Sequence, residues 1–204
     1  MSLTRLQFAK CVLFVVCLVP AVVLGWNFYH DQLGANPFEV LTRESGKWTL
    51  RFLLLTLLMT PLRGMLHWPW PLQLRRMLGL YSFFYACLHL LTYLWFDQFF
   101  DWQEIANDIL KRPFITAGIT AWLLLLPLAV TSTNGMMRRL GRRWKRLHRS
   151  IYLIAILGVL HFTWLVKADL REPLIYAGLL AILLGYRVAK WLQKREVVSL
   201  SASR

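Results

Sequence analysis

Two histidines stand inside runs of sequence that are otherwise apolar. His89 lies in "RRMLGLYSFFYACLHLLTY" (75–93) and His161 in "LHRSIYLIAILGVLHFTWLV" (147–166). An ionisable ring in a hydrocarbon-soluble helix is costly and ordinarily has a partner or a function. His89 follows Arg76 by thirteen residues, and His161 follows Arg149 by twelve. With a rise of about 1.5 Å per residue, two helices entering from one side carry both imidazoles to roughly 18–20 Å from that side. Paired imidazoles at one depth on two helices suit the two axial positions of a heme iron.

Other chemistries fit less well. Zinc would call for an HExxH or for carboxylate ligands, and neither an HExxH nor an Asp or Glu accompanies the pair in the apolar runs. Proton-coupled transporters place carboxylates near the bilayer midplane, whereas none of the ten acids lies within an apolar run. Two structural histidines hydrogen-bonded across a bundle are the remaining alternative. Ala86 and Gly158, one turn before each histidine, would admit a flat macrocycle or a close helix contact. His148 stands about 20 Å nearer the basic side than His161. Thirteen residues turn an ideal helix by roughly 220°, so His148 and His161 share a face only if the first turn is irregular. The position on the other helix that matches His148 in depth is Arg76, which cannot bind iron. Three roles stay open for His148: ligating iron with another partner, touching a flavin or quinone, or sitting among headgroups. His30 and His67 fall at interfaces and read as surface residues. The segment "RRLGRRWKRLHR" (138–149) carries seven basic residues and no acid. Such a segment fixes topology and meets anionic lipid. It could also clamp a cofactor phosphate such as that of FMN, or an acidic donor, through Arg142, Arg143 and Arg146.

These residues need a scaffold that crosses a membrane. The chain is 57% hydrophobic, with mean hydropathy +0.48. Six apolar runs, at about 11–29, 50–66, 77–96, 114–132, 150–166 and 173–191, approach the ~20 residues that span a bilayer. They are continuous rather than alternating, so the expected fold is all-α: a polytopic membrane bundle of six transmembrane helices forming one domain over 1–204. The first run exceeds a signal-peptide core and reads as an anchor. Residues 1–10, 62–76, 133–149 and 187–204 hold 17 of the 24 Lys and Arg, with one acid; the alternate segments hold seven, with nine acids. The net charge of +14 therefore reports topology, with both termini cytoplasmic, rather than nucleic-acid binding. Trp68 and Trp70 mark the inner interface, Trp95 and Trp164 the outer one, and Trp122 lies mid-span. Cys11, Cys17 and Cys87 lie in apolar runs, form no CxxC, and read as buried small hydrophobes. Residues 31–47 and 97–112 are expected to be the longest outward loops. No nucleotide-binding motif and no internal repeat is evident. A redox bundle of this kind is a relay, with a separate donor inside and a separate acceptor outside.

The segments "LGANP" (33–37), "FLLLTLLMTPL" (52–62), "KRPFITAGI" (111–119), "TSTNGMMRRLGRRWKRLHRSIYL" (131–153) and "HFTWLVK" (161–167), with the 75–93 run, resemble the MsrQ family. Its members are heme-binding inner-membrane subunits of the bacterial periplasmic methionine sulfoxide reductase system, in the ferric-reductase-like transmembrane superfamily. The resemblance implies heme b and FMN as cofactors, with His89, His148 and His161 as heme-associated histidines. It implies electron transfer from the quinone pool or a cytosolic flavin reductase to periplasmic, molybdenum-dependent MsrP, which repairs oxidised methionine in proteins. The NADPH oxidases of the same superfamily carry two histidines on the third helix, where this chain has only His89.

Overall fold

The computed structural model describes residues 3–67, 70–166 and 168–202; Trp68, Lys167 and Arg204 lie outside the described residues. Among these, all regular structure is helical. The helices are α1 (Leu3–Tyr29), α2 (Pro37–Leu66), α3 (Pro71–Thr92), α4 (Trp102–Lys111), α5 (Pro113–Val130), α6 (Asn134–Leu140), α7 (Arg142–Leu147), α8 (Ile151–Leu165) and α9 (Arg171–Ala202). A π-helical turn, Tyr93–Asp97, prolongs α3, and a 3-10 turn, His148–Ser150, leads into α8. Six stretches are long and apolar enough to cross a membrane: Gln7–Tyr29, Pro37–Leu66, Pro71–Asp97, Pro113–Val130, Arg142–Leu165 and Arg171–Arg195.

Helix ends follow local chemistry. Pro37, Pro71 and Pro113 each occupy a first-turn position, where the missing N–H costs nothing. Asn36 caps α2 by accepting the Glu39 N–H, and Asp101 caps α4 by accepting from Gln103 and Glu104. The structure corrects the expected outward loop at 31–47: α2 starts at Pro37, well before its apolar run. Glu39, Arg43, Glu44 and Lys47 make this first part polar, and the ion pairs Arg43–Glu39 and Lys47–Glu44 (both 3.1 Å) lace its turns. The expected loop at 97–112 likewise holds α4, which buries Ile105 and Asp108.

Helix α2 packs along α3, α5 packs along α8, and α9 closes the bundle against α2 and α8. The main core joins Leu50, Leu53 and Leu57 of α2 to Leu125 of α5, and Ile154 and Phe162 of α8. A second cluster ties α1 to α2 and α3 through Cys17, Phe52, Tyr81 and Tyr85. Within lipid, such packing depends on close fit and hydrogen bonds, because the solvent is itself apolar. The fully buried Tyr85 donates to Cys17 O (2.8 Å) and accepts from Ala21 N (3.0 Å), bridging one rung of α1 beside Pro20. Tyr81 donates to Phe14 O at 2.7 Å. Of the three cysteines only Cys17 is buried; Cys11 is exposed on α1, contrary to its reading as a core residue. The rest of the α1 surface is apolar and open to lipid, with Phe14, Val15 and Trp26 exposed.

Candidate functional site

His89 projects from α3 and His161 from α8, and the bundle brings the two rings together with their planes nearly perpendicular. Their centres are 5.9 Å apart, with planes inclined at 78°. Two imidazoles sharing one metal, with about 2 Å from nitrogen to metal and about 1.1 Å from nitrogen to ring centre, have centres about 6 Å apart. The observed spacing therefore suits a pair of axial ligands.

The rings are held from behind. His89 Nδ1 donates to the Thr42 carbonyl of α2 at 2.8 Å, and His161 Nδ1 donates to the Phe114 carbonyl of α5 at 2.6 Å. Only carbonyl acceptors meet Nδ1, so the proton resides there and Nε2 keeps its lone pair. Neither Nε2 makes a hydrogen bond among the described residues. A donated Nδ1–H of this kind orients a metal-ligating imidazole and raises its basicity. One turn beyond each acceptor is a glycine. A methyl group at Gly46 would stand 3.0 Å from His89 Nδ1, and one at Gly118 would stand 2.8 Å from His161 Nδ1. The two glycines give the rings room to lie flat on the neighbouring helix.

This arrangement occurs twice. Thr42, Gly46 and His89 each recur 72 residues later as Phe114, Gly118 and His161, and both histidines reach back 47 residues to their acceptor. Leu50 and Trp122, Leu53 and Leu125, and Ala86 and Gly158 form further pairs at this interval on the cavity wall. Contrary to the sequence reading, the chain thus contains an internal repeat: α2 with α3 matches α5 with α8. Gly, His and a backbone carbonyl are its shared features. Most other side chains differ between the halves, which hides it in the sequence.

Between the halves lies a cavity of about 320 Å³. Its walls are mostly apolar, and both histidines line it. The end toward the basic side of the bundle is lined by Leu53, Leu125 and Ile154. The other opens among Arg43, Lys47, Asp97, Gln98 and Arg112. Trp122 lines the wall, stacks on Phe83 (6.3 Å between centres), and its indole N–H has no partner among the described residues. No cluster of three or more His, Cys, Asp or Glu side chains exists among the described residues. A flat macrocycle whose iron takes two nitrogens matches this donor set: two neighbouring imidazoles with free Nε2 atoms, an apolar slot, and glycines beside the rings.

His148 stands apart from this pair, at the basic end of the bundle. It lies in the 3-10 turn ahead of α8, so the irregular first turn that a shared face with His161 would require is present. Its ring stacks on Trp144 (3.8 Å between centres), Nδ1 donates to Trp144 O at 3.2 Å, and Nε2 lies 3.5 Å from Ser132 Oγ. Arg76, its counterpart 72 residues earlier, donates to Asn134 at 2.5 Å. Arg142, Arg143 and Arg146 lie on the exposed face of α7 and make no ion pair among the described residues. The orienting carbonyls and the buried Asp108 were invisible to sequence reasoning. Asp108 accepts from Tyr93 (3.2 Å) and Gln98 (2.8 Å) and pairs with Arg112 (3.1 Å).

Comparison with known proteins adds a second line of argument. Residues 45–159 match the family described as ferric reductase like transmembrane component. Among curated relatives, the protein-methionine-sulfoxide reductase heme-binding subunit MsrQ of Azospira oryzae is 57% identical over 188 residues, covering 91% of this chain and 81% of its own. The proteins of the same name from Herminiimonas arsenicoxydans and Rhodospirillum rubrum are 53% and 54% identical, each over 94% of this chain and over 89% and 93% of their own. No solved structure matches.

Proposed function

The chain belongs to the MsrQ family within the ferric-reductase-like transmembrane proteins, and from that premise we propose that His89 and His161 are the axial ligands of its heme b. The protein is a multi-pass subunit of the bacterial inner membrane. It transfers electrons in the methionine sulfoxide reductase system, from the quinone pool or a cytosolic flavin reductase to periplasmic MsrP, and does not itself carry out the repair. The observation that carries the ligand assignment is the pair of neighbouring imidazoles, each with Nδ1 tied to a carbonyl and Nε2 left free.

Heme supplies a one-electron site when bound. The chain supplies the rest. Thr42 and Phe114 fix the ligand tautomers, Gly46 and Gly118 fix the ring planes, and the walls formed by Leu50, Leu53 and Leu125 exclude water. The whole chain acts as one transmembrane domain. The basic end faces the cytoplasm with both termini, on the strength of the charge asymmetry. There, Arg142, Arg143 and Arg146 attract an acidic donor or bind the phosphate of FMN, and His148 borders that entry point. The purified protein should show a Soret band of a low-spin bis-imidazole heme. His89→Ala and His161→Ala should each lose most of it. Wild-type heme content in either inserted variant would refute the assignment.

A further inference from the structure

A heme carries two carboxylates as well as an iron, and the cavity has one polar end to receive them. Its end toward the basic side is lined by Leu53, Leu125 and Ile154, whereas its mouth gathers Arg43, Lys47 and Arg112 against one lining carboxylate, Asp97. Two of these cations are already engaged. Lys47 Nζ pairs with Glu44 at 3.1 Å and Glu172 at 2.9 Å, and Arg43 pairs with Glu39 at 3.1 Å. Arg112 differs. Its Nε is tied to Asp108 Oδ1 at 3.1 Å, and its two terminal nitrogens make no hydrogen bond among the described residues. Asp108 is 3% exposed and is itself fixed by Tyr93 and Gln98, both of which also line the cavity. A buried carboxylate thus holds one edge of a half-exposed guanidinium that lines the mouth, leaving its terminal nitrogens available, and such forks bind carboxylates in bidentate fashion.

Resting on the heme reading above, we propose that Arg112 binds a heme propionate, that Asp108 is its positioning residue, and that the heme lies with its propionates toward the Arg112 mouth. The opposite orientation would place two carboxylates against the leucine floor, where burying unpaired charge is prohibitive. Nor does the half-buried Arg187, toward the basic end, offer a substitute. Arg187 does not line the cavity, and it spends its terminal nitrogens on the Leu57 and Leu183 carbonyls.

The test uses the purified holoprotein and two readouts besides activity: the propionate bending bands in resonance Raman spectra and the heme midpoint potential. In Arg112→Gln the propionate bands should shift. The potential should fall, because the reduced heme carries one more negative charge than the oxidised heme and loses a nearby cation. The Soret maximum of the two-histidine heme should stay in place. Asp108→Asn should shift the same bands by releasing Arg112; as a remote charge alone it would raise the potential and leave the bands untouched. Where Arg112→Gln retains too little heme, Arg112→Lys, which keeps the charge and loses the fork, should show the band shift. Unchanged bands in a heme-loaded Arg112 variant overturn the proposal, as do bands that respond to Arg187→Gln instead. A wild-type protein without any Soret band would overturn the heme reading as well, and so separates the two failures.

Discussion

The site depends on what stands behind each imidazole as much as on the imidazole itself. A methyl group at Gly118 would lie 2.8 Å from His161 Nδ1 and 2.9 Å from Cε1, and the contacted ring has little freedom because Phe114 O holds it. Gly118→Ala should therefore tilt or displace the ligand ring. Its expected outcome is a shifted Soret maximum or a heme content lowered several-fold in inserted protein. Gly46→Ala should act in the same direction with a smaller effect, since its nearest approach is 3.0 Å. A spectrum of Gly118→Ala identical to wild type would show that the glycine is not needed for ring placement. The histidines themselves were legible in the sequence, because an imidazole amid apolar residues is anomalous and helical rise converts position into depth. Their acceptors were not. A carbonyl has no side-chain signature, and Thr42 and Phe114 share nothing but the backbone. Asp108 was equally hidden: it reads as one acid of an outward loop, yet it is buried behind Arg112.

Among the elements, α1 and α7 make opposite uses of their surfaces. Helix α1 is mostly lipid-exposed and is held by the hydroxyls of Tyr85 and Tyr81. Tyr85→Phe would leave the Cys17 carbonyl and Ala21 N–H without that bridge, at a cost of about 1 kcal/mol. The expected result is a lower midpoint in thermal or detergent unfolding with an unaltered heme spectrum. An unchanged midpoint would assign α1 docking to packing alone. Helix α7 presents Arg142, Arg143 and Arg146 to solvent with no ion pair among the described residues. Neutralising all three should slow heme reduction by the cytosolic donor, with a loss of up to about tenfold at low salt that shrinks as ionic strength rises. Equal rates at every salt concentration, in correctly inserted protein, would leave the segment with a topological role only. The apolar runs made the long helices legible, but not their full lengths. The first turns of α2 are polar because they stand clear of lipid, and hydropathy sees only the part within it.

For the whole molecule, the repeat of 72 residues puts the histidine pair between two matched helix pairs, and position along the bundle then decides which partner a redox centre there can serve. His161 lies four residues before the end of α8 at Leu165, and His89 eight before the end of the turn at Asp97. At about 1.5 Å per residue the rings are roughly 6–12 Å from the mixed-charge face and about twice as far from the basic one. A protein docked on the mixed-charge face is within reach of direct electron transfer, which agrees with an acceptor in the periplasm. The docking test has to avoid acids that hold the fold. Asp108 anchors Arg112, and Asp101 caps α4, so reversing either charge would report on structure rather than on docking. Asp169 likewise accepts the Arg171 N–H at the start of α9 (3.0 Å), whereas Glu104 is exposed on this face and its side chain makes no hydrogen bond or ion pair among the described residues. Stopped-flow mixing of the reduced protein with purified MsrP should oxidise its heme. Glu104→Lys should change that bimolecular rate by about threefold or more at low salt. The difference should fade as the Debye length drops from about 10 Å at 0.1 M to about 3 Å at 1 M. A rate indifferent to this substitution at every salt concentration would place the acceptor elsewhere. Failure of MsrP to oxidise the heme under any condition would favour a self-contained cytochrome that reduces or oxidises a small molecule.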